Sequence, residues 1–288
     1  MPRKSPRSRR RTPAPRVPKS RRARPAPGRS RARAAPPAAA PGRHAPKGAR
    51  AGAKARARVS RGTQTSRRVR RPRFAPPDPA RVALLLERLE ALYPEATTAL
   101  RFRDPLQLLI ATILSAQCTD ERVNQVTPGL FARYPDAQAL AQAKREDLEE
   151  MIRSTGFFRN KTKAILVCCA DIVSRHGGEV PRSLEELIEL HGVGRKTANV
   201  VLGNAFGVPG LVVDTHVGRL ARRLGLTREA DAVKVEFALM EVVPRERWTL
   251  FSHWLILHGR RVCVARKPRC SICPLADQCP RTGVTASQ

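Results

Sequence analysis

The uneven distribution of charge constrains this chain more than any other feature. Residues 1 to 77 carry 26 of its 55 Lys and Arg, none of its 24 Asp and Glu, 14 of its 25 Pro and, as their one aromatic side chain, Phe74. A stretch of that composition cannot bury enough apolar surface to offset chain entropy, so disorder is expected over 1–77 and folding from Asp78 onward. The remaining 211 residues hold 29 basic against 24 acidic side chains and are long enough to bury a core, which excludes a uniformly basic, histone-like protein. The longest nearly apolar stretch, Leu106 to Ala116, is interrupted by Gln107 and falls short of the roughly 18 residues a membrane span needs, so no membrane partner is expected. No secretory apolar region follows Met1, and four of the seven cysteines crowd between Cys263 and Cys279. An intracellular, reducing setting is therefore expected rather than a secreted disulfide framework. The basic arm itself has three readings: a phosphate-binding, sequence-blind arm, a passive solvated tail, or a targeting peptide, the last opposed by its scattered prolines.

Beyond the arm, Asp78 or Pro79 can open a helix that carries Leu84, Leu85, Leu89 and Leu92 at helical spacing and closes at Tyr93 and Pro94. Asp104 and Pro105 precede a second, apolar helix over Leu106 to Cys118. Helical patterns follow over Arg122 to Tyr134, Lys144 to Ser154, Lys161 to His176, Ser183 to His191, Lys196 to Phe206, Thr215 to Leu224 and Asp231 to Val242. Only Leu211, Val212 and Val213 read as extended, so the spacing predicts an all-α protein.

Two constellations carry chemistry. In Leu190-His191-Gly192-Val193-Gly194-Arg195-Lys196-Thr197-Ala198 the chain must turn between two helices. Gly192 and Gly194 permit positive φ and leave the backbone bare, so that N–H groups at the start of the second helix can meet a phosphate, with Val193 tucked inward. This resembles the helix-hairpin-helix element of DNA repair proteins, which grips the DNA backbone without reading bases. Lys196 falls in the first turn, where the helix dipole and Arg195 disfavour a charged ammonium, and it can serve as a nucleophilic amine or simply contact phosphate. Asp214, 18 residues later, follows the apolar run and precedes the next helix, a position that suits both an N-cap and a catalytic carboxylate. Cys263, Cys270, Cys273 and Cys279 are spaced C-x6-C-x2-C-x5-C, a four-thiolate set that suits zinc or a [4Fe–4S] cluster. Lys267 and Arg269 lie inside the first ligand loop. Cys118, Cys168 and Cys169 are expected to be small buried apolar residues.

Taken together, the hairpin with Lys196, the aspartate and this cysteine spacing resemble the endonuclease III family of DNA glycosylases with abasic-site lyase activity. The likeness runs from about Arg81 to Cys279 and takes in Leu114-Ser115-Ala116-Gln117, Thr119, Asp120 and His253 to Arg260. It implies a helix-hairpin-helix glycosylase fold with a six-helix barrel domain over 98–208, and a cluster domain built from 78–97 and 209–288. It also implies a DNA-binding cleft between them and a [4Fe–4S] cluster on the four cysteines. It further implies that Lys196 attacks sugar C1′ and that Asp214 assists it. Gln117 fills the space of an extruded base, and Phe157 occupies the place of an apolar wedge, although Phe157 and Phe158 could equally be core residues. Gly192, Val193, Gly194, Arg195 and Thr197 would hold the DNA backbone. The implied substrate is duplex DNA with oxidised pyrimidines or abasic sites, and the implied protein is a cytoplasmic, nucleoid-associated monomer. A mismatch-specific monofunctional glycosylase would lack the lysine nucleophile, and a purely architectural DNA-binding protein would not need Lys196 with Asp214. His191 stands where the family usually has Pro, which is expected to loosen the start of the hairpin.

Overall fold

A computed structural model describes residues 76–288; the expectation of disorder up to residue 75 lies outside the described residues. Among the described residues the regular structure is entirely helical. Helix α1 (Pro79–Leu92) starts where Asp78 accepts the Ala80 N–H at 3.2 Å and Pro79 fixes the first turn, and it buries Val82, Leu85, Leu86 and Leu89. Helix α2 (Pro105–Leu114) is capped by Asp104, which accepts from Gln107 N at 2.9 Å, and Leu108, Leu109, Ile110 and Ala111 along it are fully buried. The expected extension of α2 to Cys118 does not form. The helix ends at Leu114, and Gln117 turns the chain through a φ of 53°.

Side-chain caps also start α3 (Asp120–Arg133, Thr119) and α4 (Ala137–Ala141, Asp136). After α5 (Arg145–Ile152) and the long α6 (Phe158–His176), α7 (Leu184–Glu189) opens on a reciprocal pair in which Ser183 Oγ accepts from Glu186 N and bonds the Glu186 carboxylate. Helices α8 (Arg195–Ala205), α9 (Thr215–Arg223), α10 (Ala232–Met240) and α11 (Trp248–Arg261) complete the fold. Leu211–Val213, read as extended, is buried coil paired to no strand.

The buried apolar side chains fall into two clusters. One runs from Leu100 to Leu202 and is built on α2 to α8; the other joins Val82 to Ala96 with Leu211 to Leu275. They meet along α8. A Cβ on Gly203 of α8 would lie 2.6 Å from Thr249 Oγ1 on α11, so a bare backbone is what lets these helices touch. Nearby, Asn199 of α8 donates through Nδ2 to Leu211 O and to Glu236 Oε1, both at 3.0 Å. Glu236, 6 % exposed on α10, also holds Arg195 through bonds of 2.9 Å to each carboxylate oxygen. Leaving the buried Glu236 carboxylate without these partners would strand a charge away from water, so they pin α8 to α10 and to the segment leading into Asp214.

Candidate active site

The start of α8 differs from most helix starts in this chain. Gly194 is its N-cap and offers no side-chain acceptor, and the first helical bond is Ala198 N to Gly194 O at 3.0 Å. The backbone N–H groups of Arg195, Lys196 and Thr197 therefore have no acceptor among the described residues. They form a donor set at the positive end of a helix, suited to an anion. The preceding turn is tight: Val193 is buried and donates to Leu190 O at 3.1 Å, and Gly192 has a φ of 79°. A Cβ on Gly192 would lie 2.8 Å from Ala164 Cβ, so the hairpin seats directly on α6. His191, expected to loosen this turn, is tied instead: its N–H, which a proline would lack, donates to Asp171 Oδ2 at 3.3 Å.

Lys196 is exposed and makes no hydrogen bond or ion pair among the described residues, leaving its amine free. Arg195 does not supply the repulsion expected from sequence, because its guanidinium is neutralised by Glu236 and lies over the Phe237 ring at 5.0 Å. For the same reason its side chain is not a free phosphate ligand, and any phosphate contact at Arg195 falls to the backbone N–H. Asp214 is the N-cap of α9, as its position suggested; Oδ1 accepts from Val217 N at 2.8 Å, which fixes the carboxylate plane. Lys196 and Asp214 line one open cavity, together with Gln117, Thr197, His253 and the Asp120–Arg260 ion pair.

Gln117 and Phe157 also meet at one place. Both have positive φ, 53° and 47°, and they line a second, open cavity with Gly192 and Thr197 of the hairpin. A left-handed backbone at non-glycine residues costs roughly 1–3 kcal/mol each, which the surrounding packing sustains. Phe157 is 62 % exposed and is no core residue, whereas Phe158 packs against the first cluster with Arg153 and Arg159 over its ring.

Sequence reasoning missed His253 as part of this cavity. Asn204 Nδ2 donates to Val200 O, so Asn204 Oδ1 accepts from His253 Nε2 at 2.8 Å. Burial pushes the His253 imidazole from its ordinary 6.5 down to about 4. Between those values the unfolded chain binds a proton that the folded one excludes, so stability present above pH 6.5 declines as pH falls toward 4. This group contributes roughly 3 kcal/mol to that decline at most. A series of urea-unfolding curves from pH 7 to 4 should record it, and His253→Gln should make the decline shallower; an acid limb of unchanged depth in that variant would remove the assignment.

The four sequence-flagged cysteines are brought together. Cys263, Cys270, Cys273 and Cys279 line one pocket with Leu220, Arg223, Val262 and Val284. Arg223 donates to Cys263 Sγ at 3.3 Å and to Val264 O at 2.8 Å, Arg281 N to Cys279 Sγ at 3.4 Å, and His258 Nε2 lies 3.4 Å from Cys273 Sγ. Donors aimed at sulfur suit thiolates carrying negative charge. Among the described residues no group of three or more His, Cys, Asp or Glu is gathered tightly enough for a single metal ion. Four thiols gathered around one space make a donor set that fits a [4Fe–4S] cluster. Lys267 and Arg269 are exposed on the loop between the first two ligands. Cys168 and Cys169 are buried as expected, with burial raising the Cys168 thiol to about 12; Cys118 is only half-buried.

Comparison with known proteins agrees with this geometry. A family model for the HhH-GPD superfamily of base excision DNA repair proteins matches residues 110–245, and one for the iron-sulfur binding domain of endonuclease III matches 263–279. The endonuclease III of Synechocystis sp. is 58 % identical over 193 residues, covering 67 % of this chain and 88 % of that protein. The Escherichia coli K12 endonuclease III is 43 % identical over 195 residues, covering 68 % of this chain and 92 % of that protein. The chain belongs to the endonuclease III family. A solved non-covalent endonuclease III–DNA complex superposes with a TM-score of 0.68 at 43 % identity, covering 71 % of this chain and 96 % of that one. A trapped endonuclease III–DNA covalent intermediate gives the same score. As a member of this family, the protein has the helix-hairpin-helix glycosylase fold, carries a [4Fe–4S] cluster and is a base excision repair DNA glycosylase with abasic-site lyase activity. No helix among the described residues is long and apolar enough to cross a membrane.

Proposed function

We propose that Lys196 is the nucleophile and Asp214 its assisting carboxylate in the removal of oxidised pyrimidines from duplex DNA. The observation that carries this reading is a free, exposed amine and a rigidly held carboxylate lining one cavity at the start of an uncapped helix. Asp214 takes a proton from the Lys196 ammonium, and the amine attacks C1′. The C1′–N bond breaks and its electron pair leaves with the base. Opening of the sugar ring then gives a Schiff base between Nζ and C1′, loss of a C2′ proton expels the 3′ phosphate, and water releases the amine. Asp214 also stabilises positive charge developing on the sugar.

In this reading the target nucleotide is first extruded, at a cost of a few kcal/mol that is smaller when damage weakens stacking. Gln117 occupies the vacated space and Phe157 wedges between base steps, an exposed aromatic ring being suited to stacking. The N–H groups of Arg195, Lys196 and Thr197, with Gly192, Val193 and Gly194 shaping the turn, hold the phosphate backbone. Cys263, Cys270, Cys273 and Cys279 hold the cluster, which when bound supplies iron–thiolate bonds that fasten the C-terminal loops. The two apolar clusters support a division into a barrel domain over 98–208 and a cluster domain of 78–97 with 209–288. The working form is a monomer in the cytoplasm, associated with the nucleoid through DNA.

Borohydride reduction during turnover of a duplex abasic site should trap a stable protein–DNA adduct, because it reduces a Schiff base to an amine. Strand cleavage with no trappable adduct would reject the covalent route. A panel of duplexes with single defined lesions should show saturated pyrimidines such as thymine glycol excised ahead of oxidised purines; the reverse order would reject the substrate class.

A further inference from the structure

Lys161 has no part in the reaction described above, yet it is the buried cation of the DNA-facing side. It lies in the strongly polar stretch Arg159-Asn160-Lys161-Thr162-Lys163, yet Lys161 is 4 % exposed. Burial strips an ammonium of its hydration, pulls its pKa down and is sustained only where acceptors replace the lost water. Lys161 has two: Nζ donates at 2.8 Å to Leu114 O and at 2.8 Å to Thr155 O. Leu114 is the last residue of α2, three before Gln117. Thr155 ends the short 3-10 turn Arg153–Thr155, two before Phe157. Both carbonyls sit at helix ends, where the backbone dipole is negative and a cation is favoured over a neutral donor.

One ammonium thus joins the two points from which the two left-handed residues depart. Helix α6 carries the third DNA-facing segment as well, through Ala164 against Gly192 and Asp171 to His191 N. We infer that Lys161 is a positioning residue that sets the separation of Gln117 and Phe157, so that plug and wedge enter the duplex as one unit. The inference rests on the roles proposed above for those two side chains.

The test compares cleavage at an abasic site in duplex and in single-stranded DNA, using the full chain with its cluster. Only the duplex has a stack to open and a gap to fill. Lys161→Met keeps the aliphatic stem and loses the donors. The ratio of duplex to single-strand kcat/KM should fall by at least about tenfold, with the single-strand rate within about threefold of the parent. Lys161→Arg, which retains charge and donors, should bring the ratio back to within about threefold. Should Lys161→Met fail to fold, Lys161→Gln, whose shorter amide reaches only one of the carbonyls, is read in the same way. An equal loss of both rates would make Lys161 a purely structural residue and overturn the inference. Phe157→Ala, run alongside, separates the two ways of failing. A ratio that falls in Phe157→Ala and not in the Lys161 variants overturns the positioning role alone. A ratio unmoved in Phe157→Ala overturns the reading of the loops, and the inference with it.

Discussion

Lys196→Ala is expected to lower strand cleavage at abasic sites by at least about a thousandfold, equivalent to about 4 kcal/mol of lost transition-state stabilisation, and to abolish borohydride trapping. The effect is chemical and not structural. Lys196 is exposed and makes no hydrogen bond or ion pair among the described residues, so its loss opens no void and orphans no partner. Alanine is also the best helix former, so the first turn of α8 survives the change. Melting temperature should stay within experimental error, and duplex affinity within about threefold, because the backbone N–H donors of that turn remain in place. Gel-based cleavage, trapping and fluorescence anisotropy on the same preparation check the three statements together. An adduct of undiminished yield would place the nucleophile elsewhere, and a collapse of affinity would mean that Lys196 chiefly holds phosphate.

Loss of one cluster ligand is expected to release the end of the chain. Residues 263–288 bury few apolar side chains: Pro268 and Leu275 are the buried ones, and Leu275 is worth about 2 kcal/mol. Ordering a backbone costs about 1 kcal/mol or more per residue, and hydrogen bonds from Arg81, Arg219 and Arg223 to carbonyls of this segment and beside it cannot meet that alone. The bonds to iron must supply the difference, as they do where metal binding and folding are coupled. Cys273→Ser should therefore lose iron and the brown colour, and trypsin should cut after Arg266 or Arg269 at least about tenfold faster than in the parent. Retained iron with unchanged proteolysis would overturn this account.

Much of the candidate site was legible in the sequence because its signals are local. A glycine-rich turn before a helix, an aspartate before another and four cysteines within one short segment each state their geometry in adjacent residues. What escaped depends on distant partners. Lys161 is buried by the end of α2, 47 residues away, and nothing beside it in the chain tells it from the exposed Lys163. Arg195 reads as a phosphate ligand until Glu236, 41 residues on, claims its guanidinium. Helix α11 was not picked out by spacing because its buried face includes Ser252 and His258, polar residues that interrupt the apolar period. The overlong α2 fails for the opposite reason: the apolar pattern runs on toward Cys118, while a positive φ at Gln117 ends what hydrophobicity would continue.

Helix α1 packs its Val82, Leu85 and Leu89 in the same cluster as Trp254, Leu255 and Leu275. During synthesis at about 5–20 residues per second, this helix leaves the ribosome roughly ten to thirty seconds ahead of those partners. Its oily stripe must wait uncovered while the whole intervening cluster is made and can close upon itself. The yield of folded protein should therefore depend on how quickly the last segment of the message is translated.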